Sequence, residues 1–313
     1  MLFAIDHGNS AIKTPNEVFT SGLASYPIRP PVDTDVLEFE GTYWTLSGNR
    51  ISYMQDKTKD DRFFILSLFA IAKELQRLGP LPPMVEADLA IGLPLEHYEL
   101  REKFSSYFQR NTVQFTFNNN PVCLMIRHVF VYPQAYAAVV SKAKMLKELP
   151  RVFVVDIGGY TTDVLLLRYS KPDMQFWRSL EMGVISMSNG IIRRVNAQYK
   201  IKIEGDHILN VLQGRHTILK DEVKQSIPLQ VKEYALTIID KLRELHVDLC
   251  ADPCIFVGGG GALFKPFIEE SPLVSMPEFE LDQKANAIGY AQLATAQLRR
   301  LIPQDGGDTI AQG

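Results

Sequence analysis

The sequence lacks the features that tie a protein to an oxidising compartment or to a membrane. Of its 313 residues only Cys123, Cys250 and Cys254 are cysteines, an odd number without the spacing of a zinc site or a disulfide framework. No run approaches the ~20 apolar residues that a membrane-spanning helix needs, and no basic segment precedes an apolar stretch at the N-terminus, as in a signal peptide. We therefore predict a cytoplasmic protein with reduced thiols and no membrane partner.

An excess of basic charge is also missing. Lys and Arg number 33 against 36 Asp and Glu, a formal net charge of -3. Proteins that bind nucleic acid usually carry a basic face, so we expect no direct contact with nucleic acid. Hydrophobic residues make up 46% of the chain, which is ordinary for a globular protein. Because 313 residues exceed what one hydrophobic core usually serves, we predict two lobes.

The two most familiar nucleotide fingerprints are absent. No G-x-x-x-x-G-K-[ST] segment occurs, and Leu263 stands where a G-x-G-x-x-G motif in the glycine run 258–261 would need its last glycine. The chain contains instead two turns in which an aspartate is followed by glycine, and the four-glycine run itself. These three segments carry the functional prediction.

The first turn follows a short apolar strand predicted over residues 2–5. Gly8 permits a turn whose backbone amides can approach an anion, and Asn9 and Ser10 add short hydrogen-bonding side chains. Lys13 would neutralise phosphate charge if it points back from the next strand, while Asp6 is placed to hold a cation through water. Taken alone, the pattern is that of a plain hairpin with a turn.

The second turn repeats this chemistry after a buried strand predicted over residues 151–155. Asp156 ends that strand, Gly158 and Gly159 expose backbone amides, and Thr161 and Asp163 follow. Mg²⁺ keeps several waters and takes one or two carboxylates together with phosphate oxygens. Two such hairpins facing each other would hold a triphosphate from both sides.

The glycine run 258–261 lies between a strand predicted over residues 254–257 and a helix predicted from about Ala262. Such a run lets the backbone pass flat against a planar ligand, and the start of the helix offers unpaired amides. A flexible hinge would show the same composition.

Hydrophobic periodicity predicts the elements around these segments. In the first half we predict strands at 17–23, 36–46 (with a turn at 40–41), 87–91, 113–117 and 122–131, and helices at 62–78, 95–110 and 133–147. In the second half we predict strands at 163–169 and 174–180 and helices at 186–198, 204–213, 229–249 and 284–301. Only one feature recurs between the halves: an apolar strand, an aspartate, a glycine-containing turn and a second strand.

The order of these motifs resembles the ATPase superfamily of actin, the sugar kinases and the heat-shock chaperones. Residues 6–13 and 156–163 match its two phosphate motifs, 257–263 its adenosine motif, and 132–135 and 286–291 its connecting segments. The opening residues 1–13 are most similar to ParM-type, plasmid-segregating bacterial actin-like proteins. The resemblance implies an α/β, ribonuclease H-like fold of two lobes, each a mixed sheet flanked by helices. Lobe I would cover residues 1–148, with helix 284–302 packing back on it, lobe II would cover 149–283, and 303–313 would form a flexible tail.

The resemblance also implies roles for the site residues. Asp6 and Asp156 would hold Mg²⁺ through water. The phosphates would lie against Gly8, Asn9, Ser10 and Lys13 on one side and Gly158, Gly159, Tyr160 and Thr161 on the other; adenine and ribose would lie against Gly258, Gly259, Gly260, Gly261 and Ala262. Gln134 stands where the family positions the attacking water, and because an amide does not accept a proton it would orient water rather than act as a base. Asp163 is an alternative organiser of that water, and the purine contacts within 186–215 stay unassigned.

The implied function is an ATP-dependent protein that polymerises into filaments, hydrolyses ATP and segregates plasmids or other DNA through a DNA-bound adaptor. Its cofactors would be ATP (GTP is possible in the family) and Mg²⁺, and its partners would be further copies of itself and the adaptor. A small-molecule kinase of the same superfamily is the alternative. It would need a carboxylate in the cleft to accept a proton from a substrate hydroxyl.

Overall fold

A computed structural model describes residues 1–52, 54 and 56–301. The predicted flexible tail, 303–313, lies outside this range. Within it, no helix combines the length and the apolar character that crossing a membrane requires.

The first half of the chain builds a nine-stranded sheet with helices against it. Its strands are β1 (Leu2–His7), β2 (Ala11–Lys13), β3 (Val18–Thr20), β4 (Leu23–Tyr26), β5 (Val36–Phe39), β6 (Thr42–Leu46), β7 (Met84–Leu93), β8 (Thr112–Phe117) and β9 (Asn120–Pro133). Its helices are α1 (Arg62–Leu78) and α2 (Arg101–Phe108), the latter preceded by a 3₁₀ helix over Leu95–Leu100. The bounds of α1 are those predicted from the sequence.

A short connecting segment leads to the second half. It consists of a 3₁₀ helix (Ala137–Lys142) and the single turn α3 (Ala143–Leu146). The second sheet contains β10 (Val152–Ile157), β11 (Thr162–Arg168), β12 (Lys171–Leu180), β13 (Cys254–Val257) and β14 (Pro277–Phe279). Its helices are α4 (Val184–Tyr199), α5 (Gly205–Leu212), α6 (Asp221–Glu244) and α7 (Gly258–Glu269), and α8 (Ala285–Leu301) closes the fold.

The two sheets share one strand arrangement. The first contains the order β3-β2-β1-β7-β9, and the second has the order β12-β11-β10-β13-β14. In the first sheet β1, β2 and β3 are antiparallel neighbours, and β7 and β9 run parallel to β1. In the second sheet β10, β11 and β12 are antiparallel neighbours, and β13 and β14 run parallel to β10. The recurring strand–aspartate–turn pattern therefore marks the start of two copies of one topology. The prediction of two lobes, each a mixed sheet flanked by helices, is confirmed.

The central strand β10 is buried on both faces, which explains its continuous apolar run. Phe153 and Val155 point into the core that α6 and α7 share with the second sheet. Val152 and Val154 point to the other face, where Val139 of the connecting segment packs. On the first sheet, α8 packs against β1 and β7 through a small cluster that includes Tyr290. The division near residue 148 stays a prediction, since the connecting segment packs on the second sheet.

Three predicted helices differ from those in the structure. The helix predicted over 133–147 is wrong in its first part, because β9 continues through Pro133 and Ala135 then adopts a left-handed φ of 61°. Helix α6 begins at Asp221 and contains Pro228; burial of Val223, Ile227 and Val231 at helical spacing outweighs the one backbone hydrogen bond that proline removes. The helix predicted over 95–110 is divided between the 3₁₀ helix and α2.

Candidate functional site

A cleft of about 920 Å³ lies between the two lobes. Its walls come from the β1–β2 turn, the β10–β11 turn, the start of α7 and the start of α8. The residues predicted from the sequence that line it are Asp6, Gly8, Asn9, Ser10, Lys13, Gln134, Asp156, Gly158, Gly159, Tyr160, Thr161, Asp163, Gly258, Gly259, Gly260 and Ala262. Gly261 is the exception: it is buried against Phe256, and a Cβ there would lie 3.4 Å from the Phe256 carbonyl carbon.

The first hairpin, β1–β2, carries an ion pair across its two strands. Asp6 lies opposite Lys13 in the strand register, and Nζ of Lys13 is 2.9 Å from Oδ2 of Asp6. Burial alone would lower the pKa of Lys13, but the charge and hydrogen bond of Asp6 raise it above its ordinary value. Lys13 therefore keeps its positive charge in the cleft.

The second hairpin, β10–β11, carries two carboxylates at the same register positions. Asp156 lies opposite Asp163. Burial raises the pKa of Asp156 to about 7, and the negative charges of Asp163 and Asp6 act in the same direction. Burial also raises the pKa of Asp163, although hydroxyl groups of Ser179 (2.6 Å) and Thr161 (3.0 Å) donate to its two oxygens and oppose the rise. Excess negative charge at this turn favours a cation.

The two turns meet directly. The position that a Cβ of Gly159 would occupy is 3.5 Å from Cβ of Ser10 and 2.9 Å from Cδ1 of Ile185. A side chain at position 159 would contact Ser10 and lie too close to Ile185 of α4, so glycine keeps this contact between the turns free of a side chain. The backbone amides of both turns therefore border the same part of the cleft.

The glycine run forms the first turn of α7, not a loop before a helix starting at Ala262. Gly258 has a φ of +81°, and a Cβ there would lie 2.5 Å from Oδ1 of Asp156. Glycine is a poor helix former, but this crowding against the second hairpin admits no side chain. The unpaired amides at the start of α7 therefore lie beside Asp156.

Family models match the sequence on both sides of the connecting segment. Residues 4–136 match the N-terminal domain of actin-like proteins. Residues 154–270 match the C-terminal part of the archaeal, MreB-like actin homologues. Each match contains one of the two hairpins, in the order that the fold shows. The chain belongs to the actin-like protein family.

Solved structures share the whole fold of this actin-like protein. The archaeal actin homologue Ta0583 superposes with a TM-score of 0.76 at 21% identity, over 95% of this chain and 99% of that one. A 15-stranded ParM filament from Clostridium botulinum gives 0.74 at 18% identity, over 94% and 99%, and Bacillus thuringiensis ParM with ATP gives 0.68 at 13%, over 96% and 99%. No curated protein matches by sequence. Because these neighbours include archaeal and ParM proteins, the narrower ParM-type assignment stays a prediction.

Amide side chains link the two aspartates of this actin-like protein to the connecting elements. Nε2 of Gln134 donates to Oδ1 of Asp6 over 3.2 Å. Asn286, at the start of α8, accepts from the backbone N–H of Ala135 at 3.1 Å and donates to Oδ2 of Asp156 at 3.4 Å. Asn286 thereby joins the end of the first lobe's sheet to the second hairpin.

Tyr290, one helical turn further along α8, packs into the core of the first lobe. Its side chain is fully buried against Gly92, where a Cβ would lie 2.1 Å from the Tyr290 hydroxyl. Burial, followed by the negative charges of Asp6 and Asp156, raises the pKa of this hydroxyl well above its ordinary value. The hydroxyl therefore stays protonated next to the two aspartates.

Several cleft residues were not found from the sequence. Leu209 of α5 and Gln213, which follows it, line the cleft within residues 186–215, where the resemblance implies purine contacts. Glu96 and Asn286 also line it. Lys57 does so from the polar segment between β6 and α1, whose composition resembles an ordinary solvated loop. For Glu96 and Lys57 no sequence pattern gave a signal, because only the tertiary structure brings their segments to the cleft.

Proposed function

We propose that this chain binds ATP with Mg²⁺ in the cleft, hydrolyses it, and assembles head to tail into filaments. The observation that carries this proposal is the meeting of the two aspartate–glycine turns, 3.5 Å apart between Ser10 and the Cβ position of Gly159. The backbone amides of the two turns, Lys13, and the aspartates Asp6 and Asp156 border the same part of the cleft. Such a set of groups suits a polyphosphate with a bound cation. The archaeal homologue Ta0583 has been solved in complex with ADP and Bacillus thuringiensis ParM with ATP, which supports this assignment.

The phosphates would lie between the two hairpins. Gly8, Asn9, Ser10 and Lys13 would contact them from the first lobe, and Gly158, Gly159, Tyr160 and Thr161 from the second. Among the described residues, no three acidic, histidine or cysteine side chains lie close enough to hold a metal ion by themselves. This suits Mg²⁺, which keeps several waters and takes phosphate oxygens together with one or two carboxylates, here Asp6 and Asp156. Bound Mg²⁺ would neutralise charge on the phosphates.

The nucleoside would lie along the second lobe. Gly258, Gly259, Gly260 and Ala262 at the start of α7 would contact ribose and base, with Leu209 and Gln213 of α5 on the same wall. These residues leave the choice between ATP and GTP open.

Hydrolysis would use Gln134 to orient the attacking water. The Gln134 amide is already held by Asp6 at 3.2 Å, so its side chain has a defined direction before nucleotide binds. Both oxygens of Asp163 accept hydrogen bonds from Thr161 and Ser179, which hold this carboxylate in place within the second lobe. Burial raises the pKa of Asp163, so it is the alternative organiser of the water and the carboxylate that a kinase would use.

Filaments would follow from head-to-tail contacts that do not close into a ring. The similar ParM from Clostridium botulinum is a filament of 15 strands. DNA segregation through a DNA-bound adaptor is the use that we propose for such a filament; the net charge of -3 agrees with a polymer that does not itself contact DNA.

The proposal is tested by mixing the protein with Mg²⁺ and ATP while light scattering and released phosphate are followed. We expect scattering to rise only with nucleotide, phosphate release to lag, and electron micrographs to show filaments.

Asp156→Ala should not assemble, whereas Asp240→Ala, which removes an exposed carboxylate from α6, should behave as the wild type. Flat scattering over a wide range of protein concentrations would refute the filament. ATP turnover stimulated by a hydroxyl-bearing metabolite, without polymer, would favour the kinase.

A further inference from the structure

A buried lysine enters the cleft from outside both hairpins. Lys57 belongs to the segment between β6 and α1, and only 8% of the residue is exposed. Its ammonium group donates to the carbonyl of His7, the residue after Asp6. The ring centroid of Phe63 lies 5.5 Å from Nζ. The charged end of Lys57 is therefore at the first hairpin although its backbone is not part of it.

Lys57 has no acidic partner among residues 1–52, 54 and 56–301. The ion pairs around it are made by others: Lys13 with Asp6 at 2.9 Å and Lys103 with Asp56 at 2.7 Å. Burial lowers the pKa of Lys57 to about 8; Asp6 and Asp163 oppose this shift, and Lys13 adds to it. A buried ammonium without a counter-anion is costly. Such a group commonly marks a place where a ligand supplies the missing charge.

The segment around Lys57 is held in place on both sides. Before it, Asp56 pairs with Lys103 of α2 and accepts hydrogen bonds from the backbone (3.0 Å) and hydroxyl (2.6 Å) of Thr58. After it, the hydroxyl of Tyr107, also in α2, donates to the carbonyl of Asp60 over 2.7 Å. Lys57 is thus positioned by contacts that need no ligand, which lowers the entropic cost of binding one.

The position of the Lys57 ammonium indicates its partner. It donates to the carbonyl of His7, the residue before Gly8 of the first turn, and Lys57 lines the cleft together with residues of both turns. Lys13 is already paired with Asp6, which leaves Lys57 as the cation of this group without a carboxylate partner among the described residues.

We propose that Lys57 binds the terminal phosphate of the nucleotide and so makes the cleft prefer a triphosphate to a diphosphate. This inference rests on the proposed function, since it needs a nucleotide in the cleft. The terminal phosphate is the part of ATP that ADP lacks, and Lys57 would supply one charge-assisted hydrogen bond to it. Lys13 and the backbone amides would serve the phosphates that both nucleotides share.

The test compares dissociation constants for ATP and ADP, measured by calorimetry with Mg²⁺, in the wild type, Lys57→Met and Lys59→Met. Lys59 is exposed in the same segment and is the matched control. One hydrogen bond to a charged group contributes about 1.5–3 kcal/mol, or about 10- to 150-fold in affinity. We expect Lys57→Met to weaken ATP by that factor and ADP by less than about threefold. Lys59→Met should change neither constant.

The results separate the two proposals. If the wild type binds neither nucleotide, the proposed function is wrong. If the wild type binds both, and Lys57→Met weakens neither or weakens both equally, the role of Lys57 is wrong while nucleotide binding stands. Retained ADP binding shows that Lys57→Met is folded. If Lys57→Met binds nothing and is unfolded by circular dichroism, the Lys57→Arg variant replaces it in the test. Lys57→Arg keeps the charge and should keep the preference for ATP. Loss of that preference in a folded Lys57→Arg would overturn the inference.

Discussion

The two hairpins of the cleft have one topology and opposite electrostatics. In each, an aspartate at the end of a buried strand lies across from a residue of the next strand: Asp6 from Lys13, and Asp156 from Asp163. The first pair is an ion pair of 2.9 Å, whereas the second is two carboxylates whose pKa values are raised. Duplicated backbone geometry therefore does not imply duplicated chemistry. The first hairpin carries a balanced ion pair, and the second carries negative charge that needs a cation.

The residues next to the aspartates differ in the same way. His7 follows Asp6 and is fully buried, with Nε2 2.7 Å from the hydroxyl oxygen of Ser67. Ile157 follows Asp156 and is buried among apolar residues. Each aspartate also has an amide partner from a connecting element, Gln134 for Asp6 and Asn286 for Asp156. Substitutions that change one hairpin toward the other, or remove a partner that only one of them has, should therefore have unequal effects.

The largest effect is expected from Lys13→Glu, which gives the first hairpin the charge pattern of the second. Asp6 would then be buried beside a second carboxylate, and loss of a buried partner costs about 3–5 kcal/mol. We expect the free energy of unfolding, measured by urea denaturation, to fall by about that amount. Lys202→Glu, at an exposed position, should change it by less than about 0.5 kcal/mol. Equal effects of the two variants would contradict the comparison.

The next effect concerns hydrolysis, where Gln134→Ala and Asp163→Asn separate the two candidates for positioning water. Because both oxygens of Asp163 are engaged, we expect Gln134→Ala to slow phosphate release about 10²-fold and Asp163→Asn to slow it by less than about tenfold. Filaments of Gln134→Ala should form and persist in the light-scattering assay. The opposite ranking of the two rates would assign the water to Asp163.

The contributions of His7, in the first hairpin, and Asp156, in the second, to the free energy of unfolding should change with pH in opposite directions. Burial lowers the pKa of His7 from 6.5 to about 3, so the unfolded chain binds a proton that the folded chain does not, and stability is lost as pH falls through this window. The pKa of Asp156 rises from 3.8 to about 7, so the folded chain keeps a proton that the unfolded chain releases. The stability from Asp156 is complete below about pH 3.8 and is lost as pH rises toward 7.

Urea denaturation without nucleotide or divalent ions, between about pH 4.5 and 6.5, would show both slopes. The difference in unfolding free energy between the wild type and His7→Ile should grow with pH, and that between the wild type and Asp156→Asn should shrink. Each slope is at most about 1.4 kcal/mol per pH unit. Ser67 keeps an acceptor in His7→Ile, because its hydroxyl donates to the Phe63 carbonyl. Parallel slopes would show that the hairpins do not differ in this way.

The smallest effect is expected from Ser179→Ala. The Ser179 hydroxyl donates to Asp163 over 2.6 Å. It stabilises this carboxylate as Lys13 stabilises Asp6 in the first hairpin. Its loss should lower the free energy of unfolding by about 1 kcal/mol, measured by the shift of the urea midpoint. Ser188→Ala, in the same lobe, serves as the control. A larger loss than that of Lys13→Glu would reverse the order proposed here.

Much of the fold was predictable because local patterns and tertiary packing agree. Helix α1 has the predicted bounds, and the turn predicted at Glu40 and Gly41 joins β5 to β6, with φ positive at both residues. Predictions failed where packing outweighed a local signal. Burial carries α6 through Pro228, and the first turn of α7 tolerates glycine because Gly258 lies against Asp156 and Gly260 against Ile157.

The sequence by itself determined that the chain has two lobes and two aspartate–glycine turns, because strand periodicity, glycine runs and an aspartate at a strand end are local properties. It also determined which of its residues carry charge there. Only the tertiary structure decided that Lys13 pairs with Asp6, that Asp163 faces Asp156, and that Lys57 reaches the cleft beside the first hairpin. These depend on strand register and on the path of a polar segment across α2, which arise from contacts between residues far apart in the chain.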